Sequence, residues 1–382
     1  MRSKTVTLLA ATTLAISLLP AAAAQAGGRI VREAVTIPMD GGWSAQGELT
    51  YPRGAKGRLP VVVLLHGSGR NDMNQTIAPG VATLKSVADA VTRDSGFAVL
   101  RFHKRGVVGV GPRLTDDPRF LGHDKIYEQT VRDAAAAIRF AGTSKRVDPA
   151  KVFLLGHSEG TQIAGNLVAD PAGHHIRKPA GVVAMGVVGA GPRTILYYQT
   201  VGRTLLQLHE EFDFDGDGDL TPAEIADGLI GQPEAVAAQF RAVLTDPATD
   251  TDRDGVITID TEVEPIARAA VGFDSYPNLP GAPEGFPEYL TDLGRFPSAR
   301  QDLPRYDGPV LLLNGQSDTQ TPVRGAIVTD AALAAAGNTD HTLITYPGVG
   351  HLMNVTPQYQ PQPGNPEPSV LRDITTWLTG HR

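Results

Sequence analysis

The chain has 382 residues, a formal net charge of −7, 41% hydrophobic and 20% charged residues, and no cysteine. This composition is typical of a folded globular protein and excludes a disordered or fibrous one. The lack of thiols excludes disulfides, thiolate metal sites and cysteine redox chemistry, and the length allows one large domain or two ordinary ones.

Residues 1–26 begin with two basic side chains (Arg2 and Lys4), continue as an apolar run and end in Ala24-Gln25-Ala26. A basic start, an apolar run and a small-x-small end are typical of a secretory signal peptide. The alternative is a membrane anchor, but the run is shorter than a bilayer span and is interrupted by Ser, Thr and Pro. We therefore expect a secreted or periplasmic protein with no membrane span after the signal peptide is removed.

The next elements alternate between strands and helices. Two alternating runs within residues 30–51 flank an Asp-Gly-Gly turn and predict a β-hairpin. The continuous apolar run at 59–69 predicts a strand buried on both faces of a sheet. The patterns that follow predict a helix over 79–94, a strand over 97–106, a helix over 127–142, a strand over 151–160, a helix over 161–170 and a strand over 180–191.

The alternation stops at residues 192–300, which contain helical patterns, acidic loops and Pro-rich turns. Alternation of strands and helices implies right-handed crossovers, and so we expect an α/β fold with a mostly parallel, doubly wound sheet. We predict one α/β domain formed by residues 27–191 and 301–382, with 192–300 as a helical cap insertion. Alternation resumes with a strand over 308–318, a helix over 324–336, a strand over 341–351 and a closing helix over 369–382.

The sequence GHSEG at 156–160 matches the GxSxG pattern of a nucleophilic serine. A sharp turn between a strand and a helix would lift Ser158 above the sheet edge, and Gly156 and Gly160 leave room where a β-carbon would meet neighbouring backbone. The strand before the motif and the helix after it argue against a chance Gly-Ser turn. We predict that Ser158 is the nucleophile.

A serine nucleophile needs a histidine to take its proton and a carboxylate to orient that histidine. His351, in YPGVGHLM, is the only one of ten histidines that follows a late strand in a turn. Asp318 closes the preceding strand, although a carboxylate there could also cap a turn or helix. We predict Asp318 and His351 as the other two members of a catalytic triad.

An oxyanion hole requires two backbone N–H groups, and losing one typically costs about 3 kcal/mol of transition-state stabilisation. Glu159, directly after the nucleophile, is expected to supply one amide. HGSG at 66–69 ends the earlier buried strand, and the amide of Ser68 is the expected second donor.

Ser158, Asp318 and His351 in this order, with HGSG upstream, resemble the α/β-hydrolase superfamily over residues 30–190 and 301–382. The resemblance is closest to bacterial carboxylesterases whose HGSG loop precedes an Asn-Asp or Arg-Asp pair and whose later strand ends in a Lys-Arg-Gly turn. This chain has Asn71-Asp72 and Lys104-Arg105-Gly106 at the corresponding places. Thr161 departs from the Gly or Ala that usually follows the elbow, which leaves the triad intact.

This resemblance implies that the chain hydrolyses small-molecule carboxylic esters through an acyl-enzyme and needs no cofactor for the chemistry. Secreted serine peptidases of the prolyl-oligopeptidase type share the same catalytic order. A serine peptidase or amidase is therefore the alternative, although residues 30–58 are too few for the propeller domain that such peptidases usually carry.

DFDGDGDLTPAE at 213–224 fits the twelve-residue calcium loop of an EF-hand, with oxygen ligands at positions 1, 3, 5, 7, 9 and 12 and glycine at 6. A second stretch, DTDRDGVITIDTE at 250–262, fits through Gly255 at position 6. Its position 12 is Thr261, so this loop must recruit Glu262 by a local shift or bind calcium weakly. Position 8 is Leu220 in the first loop and Ile257 in the second, which predicts a short β-bridge between the loops.

We expect Ca²⁺ to have a structural role in the cap, and the alternative is a pair of solvated acidic loops. Outside these two loops and the signal peptide, acidic and basic residues balance, which gives no sign of a nucleic-acid surface. A function of another class, a non-catalytic calcium-binding interaction protein, also remains open. The predicted ligands are side chains of Asp213, Asp215, Asp217, Glu224, Asp250, Asp252, Asp254 and Glu262, with Thr221 at position 9 and the carbonyls of Asp219 and Val256 at position 7.

Overall fold

The computed structural model describes residues 30–122 and 126–382, so the predicted signal peptide lies outside the described residues. The strands are, in chain order, β1 (Ile30–Pro38), β2 (Ser44–Pro52), β3 (Leu59–Leu65), β4 (Thr76–Ala78), β5 (Val81–Ala82), β6 (Ala98–Phe102), β7 (Val107–Gly109), β8 (Arg113–Leu114), β9 (Val147–His157), β10 (Gly181–Met185), β11 (Asp219–Leu220), β12 (Ile257–Thr258), β13 (Val310–Gly315) and β14 (His341–Tyr346). The α-helices are α1 (Thr83–Ala90), α2 (Ile126–Thr143), α3 (Glu159–Ala169), α4 (Pro192–Tyr197), α5 (Arg203–Glu211), α6 (Pro222–Gly228), α7 (Glu234–Leu244), α8 (Glu264–Val271), α9 (Phe286–Leu293), α10 (Ala299–Asp302), α11 (Val323–Ala335) and α12 (Pro368–Gly380).

Eight strands form the central sheet in the order β1-β2-β6-β3-β9-β10-β13-β14. β2 runs antiparallel to both of its neighbours, and the pairs from β6 to β14 are parallel. The predicted mostly parallel sheet is therefore confirmed, and the predicted hairpin is the β1–β2 pair. In a parallel sheet the carboxyl ends of the strands share one edge, where loops can combine into a site.

Helices cover both faces of this sheet, which explains why every residue of β3 is buried. Val61, Val63 and Leu65 pack in the hydrophobic cluster that contains residues of α2 and α3. Val62 and Leu64 pack on the other face with residues of α1 and α12. A strand buried on two faces cannot show polar alternation, and so the doubly wound arrangement accounts for the continuous apolar run in the sequence.

Several predicted boundaries move where the chain turns. The helix predicted over 79–94 begins at Thr83, because β4 and β5 pair around Gly80, which has φ 79°. The strand predicted over 180–191 ends at Met185, since Gly186 has φ 68°. Both turns use the positive φ that glycine adopts without steric penalty.

The segment between β10 and β13 contains helices α4 to α10 and has a hydrophobic cluster of its own. Val201, Leu205, Leu208 and Phe212, which follow one another at helical spacings of four, three and four residues, lie in this cluster. Leu220 pairs with Ile257 in the antiparallel β11–β12 bridge, as position 8 of the two loops predicts. Within the two described ranges, no helix is both long enough and apolar enough to span a bilayer.

Candidate active site

Ser158 lies at the sharp turn between β9 and α3. Its backbone angles, φ 57° and ψ −123°, are unusual for a residue other than glycine. Its amide donates to the carbonyl of Met185 on the adjacent strand at 2.9 Å. Backbone strain of this kind costs of order 1–3 kcal/mol and persists where the surrounding structure holds it, most often at functional sites. The turn places Ser158 at the carboxyl edge of the sheet.

Close backbone contacts explain why both flanking positions of the GHSEG motif are glycine. A β-carbon on Gly156 would lie 2.1 Å from the carbonyl oxygen of Gly160, and one on Gly160 would lie 2.3 Å from the carbonyl oxygen of Leu65. Thr161, the departure from the family pattern, is fully buried. Its hydroxyl donates to the Ser158 carbonyl at 2.8 Å and accepts from the Val188 amide at 3.0 Å, which ties the elbow to the loop after β10.

Asp318 and His351, which lie in the loops after β13 and β14, form a buried pair. Nδ1 of His351 lies 2.9 Å from Oδ2 of Asp318. The Asp318 carboxylate also accepts from the amides of Gln320 and Thr321 and from the Thr321 hydroxyl, each at 2.8 Å. Burial alone raises the pKa of Asp318, but His351 and these hydrogen bonds hold the pKa below its usual value. An ionised carboxylate at Nδ1 leaves Nε2 of His351 as the nitrogen that can act as a base.

A second chain of hydrogen bonds runs behind the elbow. Oε1 of Gln75 accepts from the Gly67 amide at 3.0 Å, and Nε2 of Gln75 lies 2.6 Å from Nδ1 of His157. Nε2 of His157 lies 2.9 Å from the carbonyl oxygen of His351. Burial and the neighbouring His351 lower the pKa of His157 to about 3. His157 is therefore neutral at ordinary pH. These hydrogen bonds join the HGSG loop to the loop that carries His351.

The HGSG loop lies beside the elbow, and polar side chains hold its carbonyls. Nδ2 of Asn71 donates to the carbonyls of Gly67 and Ser68 at 2.9 and 2.8 Å. Nζ of Lys104 donates to the Gly67 carbonyl at 2.6 Å. Among the described residues no group accepts from the amides of Ser68 or Glu159. These two amides are therefore available to a ligand.

A cavity of about 630 Å³ opens beside the HGSG loop. Its volume is within the range typical of small-molecule sites. Ser158 and His351 are not among the described residues that line it, whereas Ser68 and Glu159 are. Its walls come from loops and helices beside the sheet and from the segment between β10 and β13, called the inserted segment below. They include Ser68, Arg70, Phe120, Glu159, Phe286 and Tyr289.

The inserted segment contacts the site at two places. The hydroxyl of Tyr289 in α9 donates to Oε2 of Glu159 and lies 3.4 Å from Oγ of Ser68. Nε2 of Gln199 donates to the carbonyl of Gln320, in the loop that carries Asp318, at 3.0 Å. Residues from the inserted segment thus lie against both Glu159, next to Ser158, and the loop that carries Asp318.

The first acidic loop, residues 213–224, folds around its own carboxylates. Oxygens of Asp213, Asp215 and Glu224 lie within 4.8 Å of one another. Asp213 accepts from the amides of Gly216 and Gly218 at 2.8 and 3.0 Å. Asp217 is not part of that group and accepts from the amide of residue 219 at 2.8 Å. The structure thus gathers three of the predicted side-chain ligands at this loop.

The second acidic loop, residues 250–262, gathers Asp250, Asp252 and Asp254 within the same 4.8 Å limit. Glu262 lies outside this group, but its carboxylate accepts from the amides of Thr251 and Thr258 at 2.6 and 2.9 Å. A π-helical turn over Ile259–Val263 takes up the extra residue before Glu262. π-Turns of this kind accommodate one additional residue within a helix.

Four residues of the site are missing from the sequence-based prediction: Gln75, His157, Thr321 and Tyr289. His157 is the second residue of GHSEG, but the motif does not indicate its hydrogen-bond partners. The same holds for Lys104, which the sequence identifies only as part of the Lys-Arg-Gly turn. Tyr289 and Gln75 have no local signal for these roles, since Glu159 is 130 residues from Tyr289 and His157 is 82 residues from Gln75 along the chain.

Comparison with known proteins identifies the family to which this fold belongs. The sequence profile of the alpha/beta hydrolase family matches residues 62–360. Esterase EstD of Thermotoga maritima is 38% identical over 117 residues, which are 31% of this chain and 25% of that esterase. The alignment thus spans about a quarter of the curated relative.

Two solved structures show the same fold at low sequence identity. An esterase from Pyrococcus furiosus has a TM-score of 0.50 and 12% identity, covering 92% of this chain and 90% of that one. Carboxyl esterase 2 from the fungus Tuber melanosporum has a TM-score of 0.50 and 14% identity, covering 93% of this chain and 87% of that one. With the family profile matching most of the chain and the sheet order described above, the chain belongs to the alpha/beta hydrolase family.

Proposed function

We propose that this protein is a serine hydrolase that cleaves small-molecule carboxylic esters through an acyl-enzyme on Ser158. The observation that carries the proposal is the joint placement of a strained Ser158 at the elbow and a buried Asp318–His351 pair at the same sheet edge. The 38% identity to an esterase over 117 residues supports an ester substrate.

In the proposed reaction, Nε2 of His351 takes the proton of the Ser158 hydroxyl as Oγ attacks the ester carbonyl carbon. The carbonyl oxygen becomes an oxyanion, which accepts from the amides of Ser68 and Glu159. When the bond to the alcohol breaks, His351 returns the proton to the leaving alkoxide. Water then attacks the acyl-enzyme by the same route and releases the acid.

Asp318 orients His351 and stabilises the imidazolium that forms during each attack. The cavity beside Ser68 and Glu159 is the proposed substrate pocket, since both residues whose amides would hold the oxyanion line it. Its aromatic walls suit an apolar part of a small ester.

The proposal includes structural calcium in the two acidic loops. Carboxylate oxygens converge at each loop, and hard oxygen ligands are those that Ca²⁺ prefers. The loops are joined by the β11–β12 bridge, in which Asp219 pairs with Thr258 and Leu220 with Ile257. Calcium would offset the repulsion among these carboxylates and so stabilise the insertion whose Tyr289 contacts Glu159. It would supply no step of the ester chemistry.

Export is also part of the proposal, on the basis of the signal-peptide pattern in residues 1–26. Mass spectrometry of the exported protein should find a mature chain that begins at Gly27. A mature chain that retains residues 1–26 would contradict export followed by cleavage.

The test of the proposed activity combines turnover and covalent labelling. Wild type should hydrolyse p-nitrophenyl esters of short acids, and Ser158→Ala should lose this activity while keeping its melting temperature. A fluorophosphonate should label Ser158 in the wild type. Unchanged activity in the variant would refute the assignment, and preferential cleavage of peptide amides would favour the peptidase alternative. Calcium binding without labelling would favour a non-catalytic protein.

A further inference from the structure

A buried ion pair lies beside the proposed oxyanion hole. Nζ of Lys104 donates to Oε1 of Glu159 at 2.7 Å, and the two side chains are 10% and 4% exposed. Lys104 follows strand β6, whereas Glu159 is the first residue of α3. Neither side chain has a role in the proton transfers of the triad. Removing two charges from water costs free energy even when they form a pair, so a buried ion pair at this place suggests a role beyond stability.

The Lys104 ammonium also holds the HGSG loop. In addition to Glu159, it donates to the carbonyl oxygen of Gly67 at 2.6 Å. The peptide that contains this carbonyl also contains the amide of Ser68, one of the two proposed oxyanion donors. The other donor is the amide of Glu159 itself. One ammonium therefore connects the two chain segments that carry the two donors.

The Glu159 carboxylate has a third partner, which comes from the insertion. The hydroxyl of Tyr289 donates to Oε2 of Glu159 and lies 3.4 Å from Oγ of Ser68. The ring of Tyr289 stacks on that of Phe286, with centroids 6.1 Å apart. Both aromatic residues line the cavity beside the site. Tyr289 thus contacts residues on both sides of the proposed oxyanion hole.

We propose that Lys104, Tyr289 and the side chain of Glu159 are positioning residues that set the spacing of the Ser68 and Glu159 amides, and that Tyr289 couples the insertion to this spacing. This inference rests on the proposed ester hydrolysis. Oxyanion donors act through pre-set geometry, and a small misplacement is enough to weaken them in the transition state. Substrate binding in the ground state depends less on this geometry, and so turnover is the quantity that should respond.

The experiment compares Tyr289→Phe with a matched control, Tyr197→Phe. Tyr197 also lies in the insertion and donates to a carboxylate, Oε1 of Glu264 at 2.7 Å, but it does not line the cavity beside the site. The measurements are kcat and KM for p-nitrophenyl acetate and the inhibition constant of a trifluoromethyl ketone, which forms a tetrahedral adduct on a serine.

We expect Tyr289→Phe to lower kcat about tenfold, less than the loss of 10²-fold or more that is typical of deleting a donor. KM should stay within about twofold, and the inhibition constant should rise in proportion to the loss of kcat, as it does when an interaction specific to the transition state is weakened. Tyr197→Phe should leave all three constants unchanged. A merely structural role of Tyr289 would lower the melting temperature without a matched change in the inhibition constant.

A double variant tests whether the residues act as one unit. Lys104→Met should also lower kcat, and Lys104→Met combined with Tyr289→Phe should lose less than the product of the two single losses, because both act through Glu159. Fully multiplicative losses would overturn the proposal, as would wild-type kcat and inhibition in Tyr289→Phe. If Ser158→Ala keeps wild-type activity, the proposed function fails and the positioning role falls with it, an outcome distinct from failure of the positioning role alone.

Discussion

Glu224 and Glu262 occupy equivalent places in the two acidic loops, although one is the twelfth residue of its loop and the other the thirteenth. Glu224 accepts from the amides of residues 214 and 221 at 3.2 and 2.9 Å. Glu262 accepts from those of residues 251 and 258 at 2.6 and 2.9 Å. In each loop these amides belong to positions 2 and 9. The π-helical turn over Ile259–Val263 absorbs the extra residue.

This equivalence predicts that Glu262, and not Thr261, is the position-12 calcium ligand of the second loop. Glu262→Gln should weaken calcium binding at that loop and reduce the rise in melting temperature on adding Ca²⁺, because a carboxamide offers a weaker, uncharged ligand. A cation present at one hundred times its dissociation constant stabilises the folded state by about 2.7 kcal/mol. Isothermal titration calorimetry and thermal unfolding with and without a chelator measure the two effects.

Thr261→Val is the matched control for that prediction, since Thr261 stands at position 12 but Glu262 makes the equivalent contacts. It should keep the calcium affinity of the wild type. A larger loss in Thr261→Val than in Glu262→Gln would contradict the shifted position, and an absence of calcium binding in the wild type would refute the metal proposal itself.

Asp318→Asn should lower kcat by about 10⁴-fold with little change in KM, because the amide would stabilise the wrong tautomer of His351. Steady-state kinetics on a p-nitrophenyl ester measure the effect. Thr321→Val removes a hydroxyl that donates to Asp318 at 2.8 Å but leaves the carboxylate, and its loss should be much smaller. Equal losses in the two variants would show that the Asp318 charge is not the important feature.

Gly160→Ala should destabilise the protein by about 3 kcal/mol or more and abolish activity, because its β-carbon would lie 2.3 Å from the Leu65 carbonyl oxygen and 2.9 Å from that of His66. Neither backbone atom can move without shifting β3. Gly191→Ala is the control, since a β-carbon there meets nothing within 4 Å. Urea unfolding measures both, and equal stability of the two variants would contradict the steric account of the elbow.

His157 should make the protein sensitive to acid. Its pKa is about 3 in the folded protein against an ordinary value of 6.5. Between these values the unfolded chain binds a proton that the folded chain does not, so stability falls as pH falls through this window and is fully present above it. The contribution is on the order of 5 kcal/mol.

His157→Gln should therefore flatten the dependence of unfolding free energy on pH between about 6.5 and 3, as measured by denaturant unfolding at a series of pH values. His175→Asn is the matched control, because His175 is exposed and has a positive φ of 53° that asparagine tolerates. An unchanged slope in His157→Gln would show that the buried imidazole is not the source of the acid sensitivity.

Local patterns in the sequence were sufficient for the order of elements, the β1–β2 hairpin, the buried β3 and the glycines around Ser158. Each of these depends on neighbours in the chain: the period of apolar residues, the turn residues and the space that a β-carbon would fill. The order of Ser158, Asp318 and His351 could likewise be read because each follows a strand, and parallel strands end at one sheet edge.

The sequence by itself thus determined the fold class, the nucleophile motif and two loops rich in carboxylates. Only the tertiary structure decided that Lys104, Glu159 and Tyr289 meet and that His157 links the HGSG loop to His351. It also decided that Glu262, rather than Thr261, makes the contacts that Glu224 makes in the first loop. The physical reason is that these contacts join residues far apart in the chain. The packing of strands and helices determines which of these residues meet, and periodic patterns in the sequence carry no information about those contacts.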